Sequence, residues 1–281
     1  MVKKAIFPLK FHENENQISS ISDFLKMMGM QKLVALHVGR ARGRSGAQSA
    51  DRLEHYARRI RERGFEVETA VRSGAVSTAI IFAAEEFEAD LIGITFRKKS
   101  WLTRTILGST VKDVIRQSEI PVFVHKKGSR RQRNDRVFRV LYATSLQGRD
   151  ERILSFLRKG RSREDELILL YVGRRAPDPV VEQKRKAAVD EELKALMELS
   201  GYSGENTRFV DLIGSPRKHI IKTAKRFSAD LILLGKSDST SSSGPVLGST
   251  AEEVSYNAPC SVLIVPKQNE PAQQKEEEVT L

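Results

Sequence analysis

Residues 235–250 read GKSDSTSSSGPVLGST. Gly235 ends an apolar run and permits a tight turn with close backbone approach. Gly248, Ser249 and Thr250 open the next helical pattern, where free N–H groups and the helix dipole favour a phosphate. The two hydroxyls can add donors to phosphate oxygens. A second reading competes for the same N–H groups. Ser249 and Thr250 stand three residues before Glu252 and Glu253, so S-x-x-E and T-x-x-E are candidate capping boxes. The sequence leaves capping and phosphate binding both open. Residues 237–243 read as a flexible loop on composition.

Other chemistry finds little support. The five histidines, at 12, 37, 55, 125 and 219, make no metal-ligand pair by spacing, and neither H-E-x-x-H nor C-x-x-C occurs. G-x-S-x-G is absent, and the glycines of GRARGRSG do not fit a P-loop. The expected metal ligands and catalytic residues are therefore none. His37 lies in an apolar run and reads as a core residue. Cys260, before another apolar run, reads as a small hydrophobe. As the one cysteine it has no partner for an intramolecular disulfide, which points to a reducing compartment.

Candidate residues need elements to hold them. Residues 33–38, 140–143, 167–172, 231–234 and 262–265 are short continuous apolar runs, as strands covered on both faces should be. Ile80, Ala83, Ala84 and Phe87 recur at helical spacing, as do Ile220, Thr223, Ala224 and Phe227. Strands separated by helix-length segments predict βαβ units and parallel sheets.

The chain also repeats itself. At an offset of 140, Phe87-Glu88-Ala89-Asp90-Leu91-Ile92 matches Phe227-Ser228-Ala229-Asp230-Leu231-Ile232. Leu107-Gly108-Ser109-Thr110 matches Leu247-Gly248-Ser249-Thr250, and Gly74 matches Gly214. Nearer the start, Leu36-His37-Val38-Gly39-Arg40 answers Leu170-Tyr171-Val172-Gly173-Arg174. The fold class predicted is α/β: two open, doubly wound, Rossmann-like parallel sheets of about five strands each, related by internal repeat. The expected boundaries are a first domain at 1–126, a basic linker at 127–136, a second domain at 137–267 and a disordered tail at 268–281.

The order and spacing of these blocks resemble the universal stress protein family. Its nucleotide-binding members carry G-x2-G-x9-G-[ST] on a Rossmann-like five-stranded sheet. The second copy keeps the first glycine as Gly235, the third as Gly248 and the hydroxyl as Ser249, but has Asp238 at the second. Gly214-Ser215-Pro216 and residues 258–265 also look like family segments. The family's acid at the end of its first strand falls on Ser145, which cannot supply a carboxylate. The resemblance implies a tandem protein of stress response and regulation, with ATP as the ligand. The implied nucleotide-binding residues are Ser145, Val172, Gly235, Asp238, Gly248, Ser249 and Thr250. A non-binding scaffold with two degenerate sites is the alternative, and a nucleotide-phosphate hydrolase a weaker one. The family reading is not a dedicated enzyme, although weak ATPase activity stays open.

The first copy departs further. Thr95 and Lys98 stand at the first two glycine positions, and Lys10 replaces the first-strand acid. An anion site at Lys98, Gly108, Ser109 and Thr110, helped by Arg97 and Lys99, suits this copy better than a nucleotide.

Charge and composition bound the partners. Net charge is +12, and the excess is densest in residues 126–136, KKGSRRQRNDR, with six basic residues against one acidic. Without aromatic residues interleaved, this run argues against nucleic acid. Hydrophobic residues at 40% and charged residues at 30% fit a globular chain. No apolar run reaches the roughly 18–20 residues of a membrane span, and the N-terminal residues are too polar for a signal core, so a cytoplasmic location is expected. Finally, family members commonly pair through the last strand. A linker of this length has a root-mean-square span of about 18 Å and holds the two edges at roughly millimolar effective concentration. The expectation is an intramolecular pseudo-dimer of the two copies. Further homodimerisation of chains is left open.

Overall fold

Each half of the chain winds strands and helices alternately, and the computed structural model describes residues 4–39, 43–96, 109–126, 137–146, 151–159, 165–236, 239–241, 244–246 and 248–266. The first half runs β1 (Lys4–Pro8), α1 (Glu15–Met27), β2 (Lys32–Val38), α2 (Gly43–Arg61), β3 (Glu66–Arg72), α3 (Val76–Glu86), β4 (Leu91–Phe96), α4 (Ser109–Gln117) and β5 (Val122–Lys126). The second runs β6 (Arg139–Thr144), α5 (Glu151–Lys159), β7 (Glu166–Gly173), α6 (Pro179–Ser200), β8 (Thr207–Ile213), α7 (Pro216–Arg226) and β9 (Leu231–Lys236). It then adds a hairpin, β10 (Ser239–Ser241) and β11 (Gly244–Val246), before α8 (Ser249–Asn257) and β12 (Ser261–Pro266). The expected linker and tail lie outside the described residues, as do Arg40, Arg42, Arg97, Lys98, Lys99, Gly108 and Asp238.

The α/β class and the doubly wound halves are as the sequence predicts. The count of sheets is not. Ten of the twelve strands form one sheet in the order β3-β2-β1-β4-β5-β12-β9-β6-β7-β8, and β10 and β11 pair separately. Within the ten-stranded sheet all pairs inside a half are parallel, and β5 meets β12 antiparallel, with Val124 opposite Val262, Phe123 opposite Leu263 and Val122 opposite Ile264. The reason is the edge itself. Each half ends on an apolar strand whose free N–H and C=O groups would otherwise face water. Pairing removes both edges at once and continues the core across the join.

Two apolar layers sandwich this sheet. One is closed by α1, α2, α5 and α6, through residues such as Ile21, Phe24, Leu53, Leu154 and Leu193. The other is closed by α3, α4, α7 and α8, through Ile80, Val114, Ile220 and Val254. Both strand faces are therefore covered, which accounts for the unbroken apolar runs.

The repeated F-x-A-D-L-I block has a structural purpose. Asp90 accepts from the Lys4 backbone N–H at 3.0 Å, and Asp230 from that of Arg139 at 2.9 Å. Each carboxylate ties the strand it precedes to the first strand of its half. Glu88 and Ser228 turn the chain at φ 49° and 51°.

Candidate functional site

In each half the strand order reverses between the first and fourth strands, and ligands of such sheets sit beyond the carboxyl ends at that point. In the second half these ends belong to β6 and β9. Ser145 follows β6 and is exposed, Val172 lies half-buried on β7, and Gly235 is the exposed penultimate residue of β9. A Cβ on Gly235 would meet only Ile153 Cδ1, at 3.7 Å, which is ordinary contact. Nothing among the described residues obliges glycine there.

The N-terminus of α8 completes this edge. Gly248 is its N-cap, at φ −55° and ψ 131°, with no side-chain cap hydrogen bond. Ser249 is exposed and Thr250 half-buried. The capping-box reading is thus overturned: the helix begins one residue earlier than that motif requires, on a residue with no side chain. Both glutamates are engaged elsewhere. Glu252 pairs with Lys112 of the first half at 2.7 Å, and Glu253 accepts from Asn257 at 2.7 Å. Of the segment before α8, residues 239–241 pair antiparallel with 244–246, while Ser237 and Asp238 lie outside the described residues. β11 lies beside α4 of the first half.

The first half has a different occupant at the same place. Phe11 follows β1 at φ 61°, in the left-handed region, and is 9% exposed. Its ring lies flat on His37, centroids 3.9 Å apart at 19°. The Arg52 guanidinium sits 4.7 Å from the Phe11 centroid, and Tyr56 is tilted against the ring at 5.7 Å. His37 Nδ1 lies 2.9 Å from the Leu9 carbonyl oxygen, so the half-buried imidazole is tied to the chain just after β1. Lys10, where the family's acid would be, is exposed, and its backbone N–H donates to Glu13. The carboxyl ends of β1 and β2 are therefore filled by the chain's own side chains.

In the second half, Leu146 takes the place of Phe11, at φ 57°, with its N–H donating to Thr144 Oγ1 at 3.0 Å. Tyr171 takes the place of His37 and folds back beside Gly173. Of the first-half anion candidates, Ser109 and Thr110 begin α4, exposed and half-buried. Phe11 escaped the sequence reading. Its signal was a lone aromatic residue between Lys10 and His12, outside any strand.

Among the described residues no three His, Cys, Asp or Glu side chains are placed to hold a metal ion. No helix among them is long and apolar enough to cross a membrane. Burial, with Asp230 nearby, pushes the Cys260 thiol up to about 12, which removes its nucleophilic form.

Comparison with known proteins places this geometry. The universal stress protein family model matches residues 28–126 and 139–266. A universal stress protein of Methanocaldococcus jannaschii is 33% identical over 88 residues, 31% of this chain and 52% of that protein, so the match spans about half the length of that curated relative. A universal stress protein of Archaeoglobus fulgidus DSM 4304 shares the fold at a TM-score of 0.72 and 21% identity, over 95% of this chain and 100% of that one. A functionally unknown protein of Pseudomonas aeruginosa PAO1 does so at 0.72 and 19%, over 95% and 93%. The cytoplasmic domain of a prokaryotic cation chloride cotransporter follows at 0.58 and 15%, over 94% and 95%. With the family matched twice, across both halves of one sheet, this chain belongs to the universal stress protein family as a tandem copy of its domain.

Proposed function

We propose that the second half binds an adenine nucleotide, ATP, with its phosphates on the N–H groups of Gly248, Ser249 and Thr250. The observation that carries this reading is the N-terminus of α8, which lacks a side-chain cap and lies at the same carboxyl edge of the sheet as Gly235. Unsatisfied helix N–H groups and the dipole make an anion site. Glycine at 235, which no neighbour among the described residues demands, suits the approach of a molecule from outside. Val172 and Ser145 would flank the nucleoside, and Asp238 would lie in the loop between the glycines. Affinity is weaker than with a first-strand carboxylate, because Ser145 offers no charge-assisted bond and such bonds are roughly twice as strong as neutral ones.

The role proposed is regulatory binding during stress in the cytoplasm, where a single cysteine stays reduced. Phosphoryl transfer would need charge-neutralising groups around a carboxylate-held metal. The family's first-strand acid is Ser145 here, so the residues favour binding over hydrolysis.

The test is mass spectrometry of the native protein for co-purified nucleotide, followed by ATP calorimetry on wild type and Gly248→Val. One ATP per chain is expected in wild type and none in the variant, whose side chain blocks backbone approach. Equal binding by both removes the site assignment. No binding by either supports the scaffold alternative, which the absence of an acid at Ser145 favours.

A further inference from the structure

Helices α3 and α7 are counterparts at the 140-residue offset, and their buried positions agree: Ile80 with Ile220, Ala84 with Ala224. Their exposed positions differ in charge, and in the last turn the charge is inverted. Where α7 has Arg217, Lys218, Lys222, Lys225 and Arg226, α3 has Ser77, Thr78, Phe82, Glu85 and Glu86. All five cations of α7 are exposed, the helix has no acid, and no ion pair joins them among the described residues. In α3 there is no cation. Glu85 and Glu86 are exposed, Glu88 follows, and Phe82 is 64% exposed. Among the described residues, Glu86 alone of the three has an ion pair, with Arg72.

Both helices close the same face of the sheet. Each runs antiparallel to the strands of its half, and the strands of the two halves are themselves antiparallel across β5 and β12. So α3 and α7 point in opposite directions on one surface. A second copy, turned about a two-fold axis that lies in this face along the strands, sets its α3 on this α7 and its α7 on this α3. The paired helices are then antiparallel. Glu85, Glu86 and Glu88 at the C-terminal end of α3 meet Arg217 and Lys218 at the N-terminal end of α7. Opposite side-chain charges and opposite dipole ends coincide. Phe82 falls mid-helix, against the aliphatic stem of Lys222.

We propose that this face is an isologous dimer interface, in which α3 of each chain docks on α7 of the other. The occupant is a second copy because one two-fold contact pairs the acidic end of α3 with the basic first turn of α7 twice over and covers Phe82 as well. A purely anionic partner would satisfy α7 and leave Phe82 exposed.

The test is sedimentation equilibrium of the full chain at about 0.15 M salt, where only close charge pairs persist. A concentration-dependent dimer is expected. Phe82→Lys, Glu85→Lys and Lys218→Glu should each weaken it by roughly tenfold or more. Glu85→Lys combined with Lys218→Glu on one chain should restore it. All three substituted positions are exposed, and circular dichroism would verify the fold. A wild type that stays monomeric at millimolar concentration overturns the proposal. So does a dimer indifferent to these substitutions. Binding of duplex DNA or phosphatidylserine vesicles that depends on Lys218, without self-association, also overturns it and identifies a polyanion as the partner.

Discussion

Lys236 of β9 reaches into the other half of the molecule, where its Nζ donates to the Arg116 carbonyl oxygen at 2.6 Å. It donates also to the Ser118 carbonyl at 3.2 Å. These carbonyls end α4, and the arrangement is reciprocated. Lys126 of β5 donates to the Tyr256 carbonyl near the end of α8, at 2.7 Å, with its Nζ 4.6 Å from the Phe96 ring centroid. Each half thus supplies a buried cation to the last helix of the other, where orphan carbonyls and the negative end of the dipole need one. The join between halves is more than strand pairing. Lys236 also follows Gly235 directly, so the candidate phosphate edge is anchored to the first half.

Lys236→Met keeps the stem and removes the donors. Hydrogen bonds to charged groups contribute about 1.5–3 kcal/mol, and stability should fall by about that much. Urea unfolding measures it. A loss below about 0.5 kcal/mol would show that the carbonyls find other partners.

Phe11 holds its left-handed backbone by what its ring touches. A non-glycine residue there costs roughly 1–2 kcal/mol, which stacking on His37 and burial offset. Truncation removes the compensation and keeps the strain. Phe11→Ala should cost about 3–5 kcal/mol, and Phe11→Gly about 1 kcal/mol less, because glycine adopts this φ freely. Glycine below alanine in denaturant midpoint would contradict this account.

How much of this was legible in the sequence depended on the range of the interaction. The repeat and the parallel halves rest on apolar runs and on the F-x-A-D-L-I block, which periodicity exposes directly, whereas the edge pairing is what the family resemblance implies. The single sheet follows from Val122 to Val124 meeting Val262 to Ile264, which is the expected edge pairing, and that pairing merges the two five-stranded sheets into one. The S-x-x-E and T-x-x-E patterns misled for a local reason. Glu252 is drawn to Lys112, a residue 140 positions away, and the helix starts on Gly248 instead. Phe11, Lys126 and Lys236 act through tertiary placement, which leaves no periodic trace. The charge inversion between Glu85 and Lys225 was readable at the repeat offset, but its meaning needs both helices on one face.

Cys260 should be inert to thiol reagents in the folded protein. It is 3% exposed, and its raised pKa leaves almost no thiolate at neutral pH. Ellman's reagent should react only after denaturant is added, as one thiol per chain. Rapid labelling of native protein would mean that the β12 region opens readily.

Acid should weaken the fold first through His125. Its ring is 2% exposed on β5, 5.6 Å from Phe24 and 6.0 Å from Phe123 between centroids. Nδ1 lies 3.3 Å from Ser261 Oγ, across the join between halves. Burial lowers its pKa from 6.5 to about 4, since a charged imidazolium there would lose its water. Above about pH 6.5 the ring is neutral folded and unfolded, and stability is unaffected. Below it the unfolded chain takes up a proton that the folded chain refuses. Stability should therefore fall by about 1.4 kcal/mol for each pH unit from about 6.5 towards about 4. Glu182, held down to about 2 by Arg185, does not titrate in the upper part of that window. His125→Leu removes the titrating group and should flatten the profile between about pH 5 and 6.5. Urea unfolding at several pH values would read this, and a variant with the wild-type slope would assign the acid sensitivity to another group.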